Sequence, residues 1–355
     1  MPARGRTGYG VGVTASWLDR AFVRVMRRRP FFSDGWGDPV QLDIVTSLPT
    51  DRNQVFPVEL RWEPWGRDGA VECREGRFSS PEADLLGLPL ESRDAIVRHV
   101  RPVGVEGAPT CLHLAATGEF GFSRRMRLAR PLAAAGIGSV LLENPYYGLR
   151  APPDQHGPSV RTVADLLIMG RACVQEARSL LSWLRQAGHD RLGVSGFSMG
   201  GQTSAMATAS CPFPVAGIPL AGSHSATAVF LKGVLRYVVD WSALAPDGHI
   251  DVARERFEGL LDNMSVLSLP PPEAPGACIV VAGSRDAFVE PRSSQALHAH
   301  WQGSELRWLG AGHVSGFLWR QADYKTAIVD GFRRLEGLMT GEPVSDVEDP
   351  ASPGV

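Results

Sequence analysis

The chain has 355 residues, 44% hydrophobic and 21% charged, with a formal net charge of -2. That composition is ordinary for a globular protein with a sizeable core, in one large domain or two small ones. The weak charge balance, with no basic domain and no zinc-finger spacing, excludes nucleic acid as a partner, and five cysteines far apart (Cys73, Cys111, Cys173, Cys211, Cys278) fit free thiols in a reducing compartment rather than a metal centre.

Residues 1–14 are rich in Gly and Arg and read as disordered. From Trp17 to Phe32, Trp17, Leu18, Phe22, Val25 and Met26 recur near helical spacing, while Arg20, Arg24, Arg27, Arg28 and Arg29 crowd the other side and the end. Residues 1–34 are thus expected to form a basic amphipathic segment. Its helix suits peripheral contact with an anionic membrane through residues 17–32, or packing on its own domain with the arginines solvated.

Residues 38–103 carry short β-branched or alternating runs, Val40–Val45, Val55–Trp62, Ala70–Phe78 and Ala95–Val103, between Pro/Gly/Asp clusters. They predict antiparallel strands opening a mixed sheet. From Thr110 strand-like and helix-like segments alternate. The strands are expected at Thr110–Ala116, Ser139–Glu143, Leu192–Ser195, Val215–Ala221, Cys278–Ala282 and Leu306–Leu309. Helices are expected over Arg124–Ala135, Thr162–Gln186, Met199–Ser210, a region from Ala226 to Leu261, Pro291–Trp301 and Asp323–Met339. Repeated βα units predict a mostly parallel sheet with helices on both faces, and sites beyond the carboxyl ends of its strands. Residues 341–355 read as a disordered tail, which leaves 35–340 as one domain. With no apolar stretch of about 18 residues and no signal-peptide core, a cytoplasmic protein, at most peripheral to a membrane, is the expectation.

The run RLGVSGFSMGGQTSAMATAS (191–210) reads as strand, tight turn, helix. A GxSxG at such a junction is a nucleophile elbow, whose glycines let the backbone turn sharply and present Ser198 at a helix N-terminus. A serine hydroxyl needs a base, and the base an acid partner. In the α/β-hydrolase arrangement they follow in the order serine, acid, histidine, each just past a strand end. Asp286 leaves the strand Ala277–Gly283 and His313 follows Leu306–Leu309, both through short glycine-containing turns. His113 lies inside a strand, His156 in a Pro-rich loop, His298 and His300 on a helix, and Asp165 and Asp240 within helical segments. His224, after the strand Val215–Ala221, is the runner-up base and a candidate pocket residue. The backbone N–H groups of Met199 and Glu119, with Gly118 next, are the expected oxyanion donors.

The stretches Glu75-Gly76-Arg77-Phe78 to Pro81, His113 to Gly118, Leu141-Leu142-Glu143-Asn144-Pro145-Tyr146-Tyr147-Gly148, Gly196 to Gly201 and Gly312-His313-Val314-Ser315 occur in order between about Gly35 and Leu335. In them the chain resembles the α/β-hydrolase-domain-containing protein 18 family. The resemblance implies an α/β-hydrolase fold, a mostly parallel central sheet with antiparallel N-terminal strands, helices on both faces and a small lid, and it supports the Ser198, Asp286, His313 triad. It implies no general substrate. Where that family tends to have Gly-Thr-Gly-Asp, this chain has Ala116-Thr117-Gly118-Glu119.

Between the sixth and seventh strands, within a lid expected over about 223–265, Val229, Phe230, Leu231, Val234, Leu235, Tyr237, Val238, Val239 and Trp241 form an apolar patch. It would either shelter an acyl chain or form a buried core helix. Arg124, Arg125 and Arg127 after the oxyanion turn, and Tyr146, Tyr147 and Phe197 near strand ends, are candidates for the pocket rim; the arginines could equally be solvated. The expected activity is that of a serine hydrolase on a lipophilic or phospholipid-type carboxylester, a small-molecule substrate, without a cofactor. The alternatives are an acyltransferase with the same triad and a non-catalytic binding protein on the same scaffold.

Overall fold

The computed structural model describes residues 16–48 and 50–341. The expectations for residues 1–14, and for the tail beyond Gly341, lie outside the described residues.

The chain opens with α1 (Trp17–Met26) and α2 (Pro39–Ser47). Val40–Val45, expected as a strand, is helical. Asp38 caps it, its carboxylate accepting from Val40 N at 2.8 Å, and Pro39 stands at the first helical position, where its missing N–H costs nothing. That start signal outweighs the three β-branched residues Val40, Ile44 and Val45. Of the run Val55–Trp62 only β1 (Arg61–Trp62) is a strand, while Val58 and Leu60 pack on the core without ladder pairing. A meander follows: β2 (Gly66–Asp68), β3 (Val71–Ser79) and β4 (Asp94–Pro102), all antiparallel to their neighbours.

The alternating part is β5 (Thr110–Leu114), α3 (Ser123–Ala133), β6 (Gly138–Leu142), α4 (Val163–Gln186), β7 (Leu192–Phe197), α5 (Met199–Ala209) and β8 (Ala216–Leu220). After α6 (Trp241–Leu244) and α7 (Ile250–Asp262) come β9 (Ile279–Gly283), α8 (Pro291–His300), β10 (Glu305–Leu309), α9 (His313–Trp319) and α10 (Gln321–Thr340). The strand order is β1-β3-β4-β6-β5-β7-β8-β9-β10, with β2 beside β3. β4 meets β6 antiparallel, and from β6 onwards all pairs are parallel.

β5, β6 and β8 are buried at every position, as expected of strands covered on both faces. Leu128 and Leu132 of α3 and Ile328, Phe332 and Leu335 of α10 pack on one face. Leu180 and Leu184 of α4 and Ala207 of α5 pack on the other. Helix α4 enters through a capping box, Thr162 and Asp165 each bonding the other's backbone N–H.

The segment after β6 is fixed by buried ions. Arg150 forks onto both oxygens of Glu176 (2.8 and 2.5 Å), both side chains being fully buried, and also donates to the carbonyls of Glu143 (2.6 Å) and Ser92 (2.7 Å). Glu143 accepts from Gly121 N at 2.8 Å. Gly148 has φ +56°, and a Cβ there would lie 1.7 Å from the Glu143 carboxylate, so this corner admits glycine alone. The Glu143-to-Gly148 stretch thus owes its particular residues to a folded corner that carries Tyr147 to the cavity described next.

Candidate active site

β7 runs directly into α5, and the turn between them is set by close backbone approach. A Cβ at Gly196 would lie 2.4 Å from Gly200 O, and one at Gly200 2.3 Å from Leu114 O. Ser198 sits between them at φ 60°, ψ -118°, a conformation few side-chain-bearing residues adopt. Its N–H donates to Leu220 O on β8 (2.9 Å), which locks the corner to the sheet.

The Ser198 hydroxyl lies 2.8 Å from His313 Nε2, and His313 Nδ1 lies 2.6 Å from Asp286 Oδ2. Asp286 turns back on its own loop, Oδ1 accepting from Phe288 N and Val289 N, both at 2.8 Å. The imidazole is held between two rings: Phe288 stacks on it with centroids 4.8 Å apart and 22° between planes, and Phe197 is tilted, also at 4.8 Å. Burial alone would lower the His313 pKa. The Asp286 charge and hydrogen bond, with the Asp19 charge, outweigh it and hold the pKa above the ordinary histidine value.

Asp19 is the residue that sequence reasoning missed. It is buried on α1, and its carboxylate accepts from Ala287 N (3.0 Å), His313 N (3.0 Å) and Val314 N (2.9 Å). The inward stripe of α1 is Asp19, Val23 and Met26, whereas Trp17, Phe22 and Val25, expected on an apolar face for a membrane or for the domain itself, are exposed.

The oxyanion assignment needs correction. Glu119 N–H donates to Ala116 O (3.1 Å) within its turn. The Glu119 side chain folds back as well, accepting from Ala116 N (3.2 Å) and from Arg125 Nε (2.8 Å) in a buried ion pair. Gly118 is held at φ +67°, where a Cβ would lie 2.3 Å from Pro158 Cβ. Thr117 is the residue of this turn that lines the cavity beside Ser198 and Met199, and Met199 N–H belongs to the first helical turn, whose donors have no intrahelical acceptor.

That cavity, of about 70 Å³, is walled by Tyr147, Leu167, Met206, Phe230 and Leu235 as well as Phe31. The apolar patch between β8 and β9 is therefore both roof and core, since Phe230, Leu235, Val238 and Val239 are buried with Phe31, Phe32 and Phe257. Tyr147 is the expected rim residue that reaches the cavity, and its hydroxyl donates to Pro158 O (2.8 Å).

The other rim candidates lie elsewhere. Tyr146 is buried at φ 66°, its backbone N–H donating to the Ser92 hydroxyl (3.0 Å). Phe197 packs under His313, Arg124 is exposed over the Phe317 ring, and Arg125 is sealed in its pair with Glu119. His224 donates its backbone N–H to the Ser293 hydroxyl (3.0 Å) and faces Ser265 at 3.4 Å, outside the cavity wall, its pKa lowered by burial and then by Lys232. His113 stays in β5 beside Ser139.

The chain matches the model of the family described as alpha/beta hydrolase domain containing 18 over residues 29–258 and 247–334. Its fold is similar to that of acetyl xylan esterase 1 from Thermoanaerobacterium sp. JW/SL YS485, with a TM-score of 0.54 at 15% identity over 86% of this chain and 98% of that one. An acetyl xylan esterase from Paenibacillus sp. R4 superposes with a TM-score of 0.56 at 13% identity, again over 86% and 98%. At such identities the two likenesses bear on the fold alone, and they agree with a mostly parallel α/β-hydrolase sheet. The match to the family model spans most of the chain, which therefore belongs to the alpha/beta hydrolase domain containing 18 family.

Proposed function

We propose that the protein is a serine hydrolase that cleaves a lipophilic acyl ester through an acyl-enzyme on Ser198. One observation carries the reading: the hydrogen-bonded series Ser198, His313, Asp286 ends at a serine that lines an apolar cavity. His313 Nε2 takes the hydroxyl proton as Ser198 Oγ attacks the ester carbonyl, and Asp286 stabilises the imidazolium. The N–H groups of Met199 and Thr117 receive the oxyanion. His313 then returns the proton to the leaving alkoxide, and water, deprotonated by the same nitrogen, releases the acid.

The acyl group occupies the space under Phe230 and Leu235, in a cavity whose wall is mostly apolar. An anionic alcohol moiety is supported from a different quarter than Arg124 and Arg125. Arg20 and Arg24 of α1 and Arg27 just past its end line a groove of about 750 Å³ with Lys232, Arg236 and Arg292, and Asp286 forms part of its wall. On the same helix Trp17 and Val25 are 74% and 62% exposed, which favours work at an anionic lipid surface. Among the described residues no helix is long and apolar enough to cross a membrane.

A fluorophosphonate probe is expected to label the protein and to fail on Ser198→Ala; labelling that survives the substitution removes Ser198 as nucleophile. Turnover is expected to rise with acyl hydrophobicity across an ester series and with anionic vesicles as the interface. A flat response in both would leave a hydrolase without the lipid substrate.

A further inference from the structure

We infer that Asp19 is a positioning residue for His313, supplied by the first helix and acting on the backbone that carries the base. The inference rests on the serine-hydrolase reading above.

A carboxylate removed from water calls for a counter-charge or for several donors. Asp19 is fully buried and, among the described residues, pairs with none of the arginines that follow it on the same helix. Its partners are all main-chain N–H groups, and they come from the two loops that matter. Ala287 directly follows Asp286, and His313 and Val314 open α9. One side chain therefore fixes the acid loop and the base loop to each other. The start of α1 adds to this clamp, because Ser16 N donates to Arg285 O at 3.3 Å. A Cβ on Gly312 would lie 2.3 Å from Ser16 Cβ and 3.0 Å from Asp19 Oδ2, so the helix rests against the backbone immediately before His313.

The geometry explains why such a clamp is useful. His313 must keep Nδ1 at 2.6 Å from Asp286 and Nε2 at 2.8 Å from Ser198 together. Phe197 and Phe288 restrain its ring, but not the backbone from which the ring hangs. A displacement of about 1 Å there is enough to lower a rate about 100-fold. The charged and titratable groups facing the imidazole are Asp286 from the loop after β9, Asp19 from α1 and, next to Asp286, the Tyr324 hydroxyl of α10. Asp19 is thus the second negative charge on the base, and its removal lowers the imidazole pKa.

The test compares wild type with Asp19→Asn, which keeps the shape and removes the charge, and with Gly312→Ala, which keeps the charge and displaces the helix. Three quantities are read: the rate of fluorophosphonate labelling per folded molecule, kcat and KM on a soluble ester, and the His313 ring titration by NMR. Both variants are expected to lose about 10- to 100-fold in kcat and labelling rate with KM changed less than about threefold. Asp19→Asn is expected also to move the His313 titration to lower pH. If Asp19→Asn lowers only the melting temperature, leaving labelling per folded molecule and the His313 titration at wild-type values, Asp19 is merely structural and the inference is overturned. A wild-type protein that resists labelling overturns the nucleophile instead, and the NMR titration then decides for or against Asp19 by itself.

Discussion

His313 is constrained at both ring nitrogens, on both ring faces and at its backbone N–H, and this degree of restraint has a titration consequence. Its pKa is raised, so in the free enzyme the base becomes available only above the ordinary histidine value of about 6.5. The acid limb of kcat/KM is expected above that pH. Asp286→Asn removes the largest favourable charge, so the limb should move to lower pH while kcat falls on the order of 10³- to 10⁴-fold, through loss of the tautomer and of charge stabilisation. A pH–rate profile of the two proteins checks both; an unmoved limb would mean that another group sets it.

The Arg150–Glu176 pair decides the shape of the segment between β6 and α4, and with it the place of Tyr147 on the cavity wall. Arg150→Met leaves the Glu176 carboxylate buried without its cation, a loss of about 3–5 kcal/mol. The double variant Arg150→Met/Glu176→Leu should regain much of it, since apolar replacement of a whole buried pair is often neutral. Urea denaturation of the three proteins tests this, and equal midpoints for the single and double variants would contradict it. At this scale the sequence was legible where a rule ties residue type to element ends. Ser198, Asp286 and His313 follow β7, β9 and β10, and the structure brings them together. Val40–Val45 was misread because composition was weighed above the Asp38-Pro39 start signal. The oxyanion turn was misread for a different reason. Whether the Glu119 amide stays free depends on a turn bond to Ala116 O, which leaves no mark in the sequence. Asp19 was passed over because a lone acid among arginines reads as a solvated face until the helix is docked.

For the molecule as a whole, buried neutral histidines tie stability to pH. His99 and His113 have pKa values lowered to about 3, chiefly by burial, with nearby arginines adding to it. The unfolded chain takes up a proton at each near pH 6.5, whereas the native one does not until about pH 3. In that window the unfolded state binds more protons, so stability rises with pH and is lost as pH falls, by up to about 1.4 kcal/mol per pH unit for each group. Glu143 and Asp165, raised mainly by burial, pull the other way with smaller shifts. His313 also has the opposite sign: its contribution is complete below the unfolded value and fades as pH rises through the folded one. Thermal melts from pH 7 to pH 4 should therefore fall steeply, and less so for His99→Phe; parallel curves would assign the acid sensitivity to other groups.

The segment joining α1 to α2 also matters at this scale. Phe31 N donates to Val238 O and Asp240 N to Phe31 O, while the rings of Phe31 and Phe32 lie against Phe230 and Phe257. The ceiling over Ser198 is consequently sewn to the leading edge of the polypeptide. A guest bulkier than the present void must loosen that seam, so access is governed jointly by two stretches some two hundred positions apart in the chain.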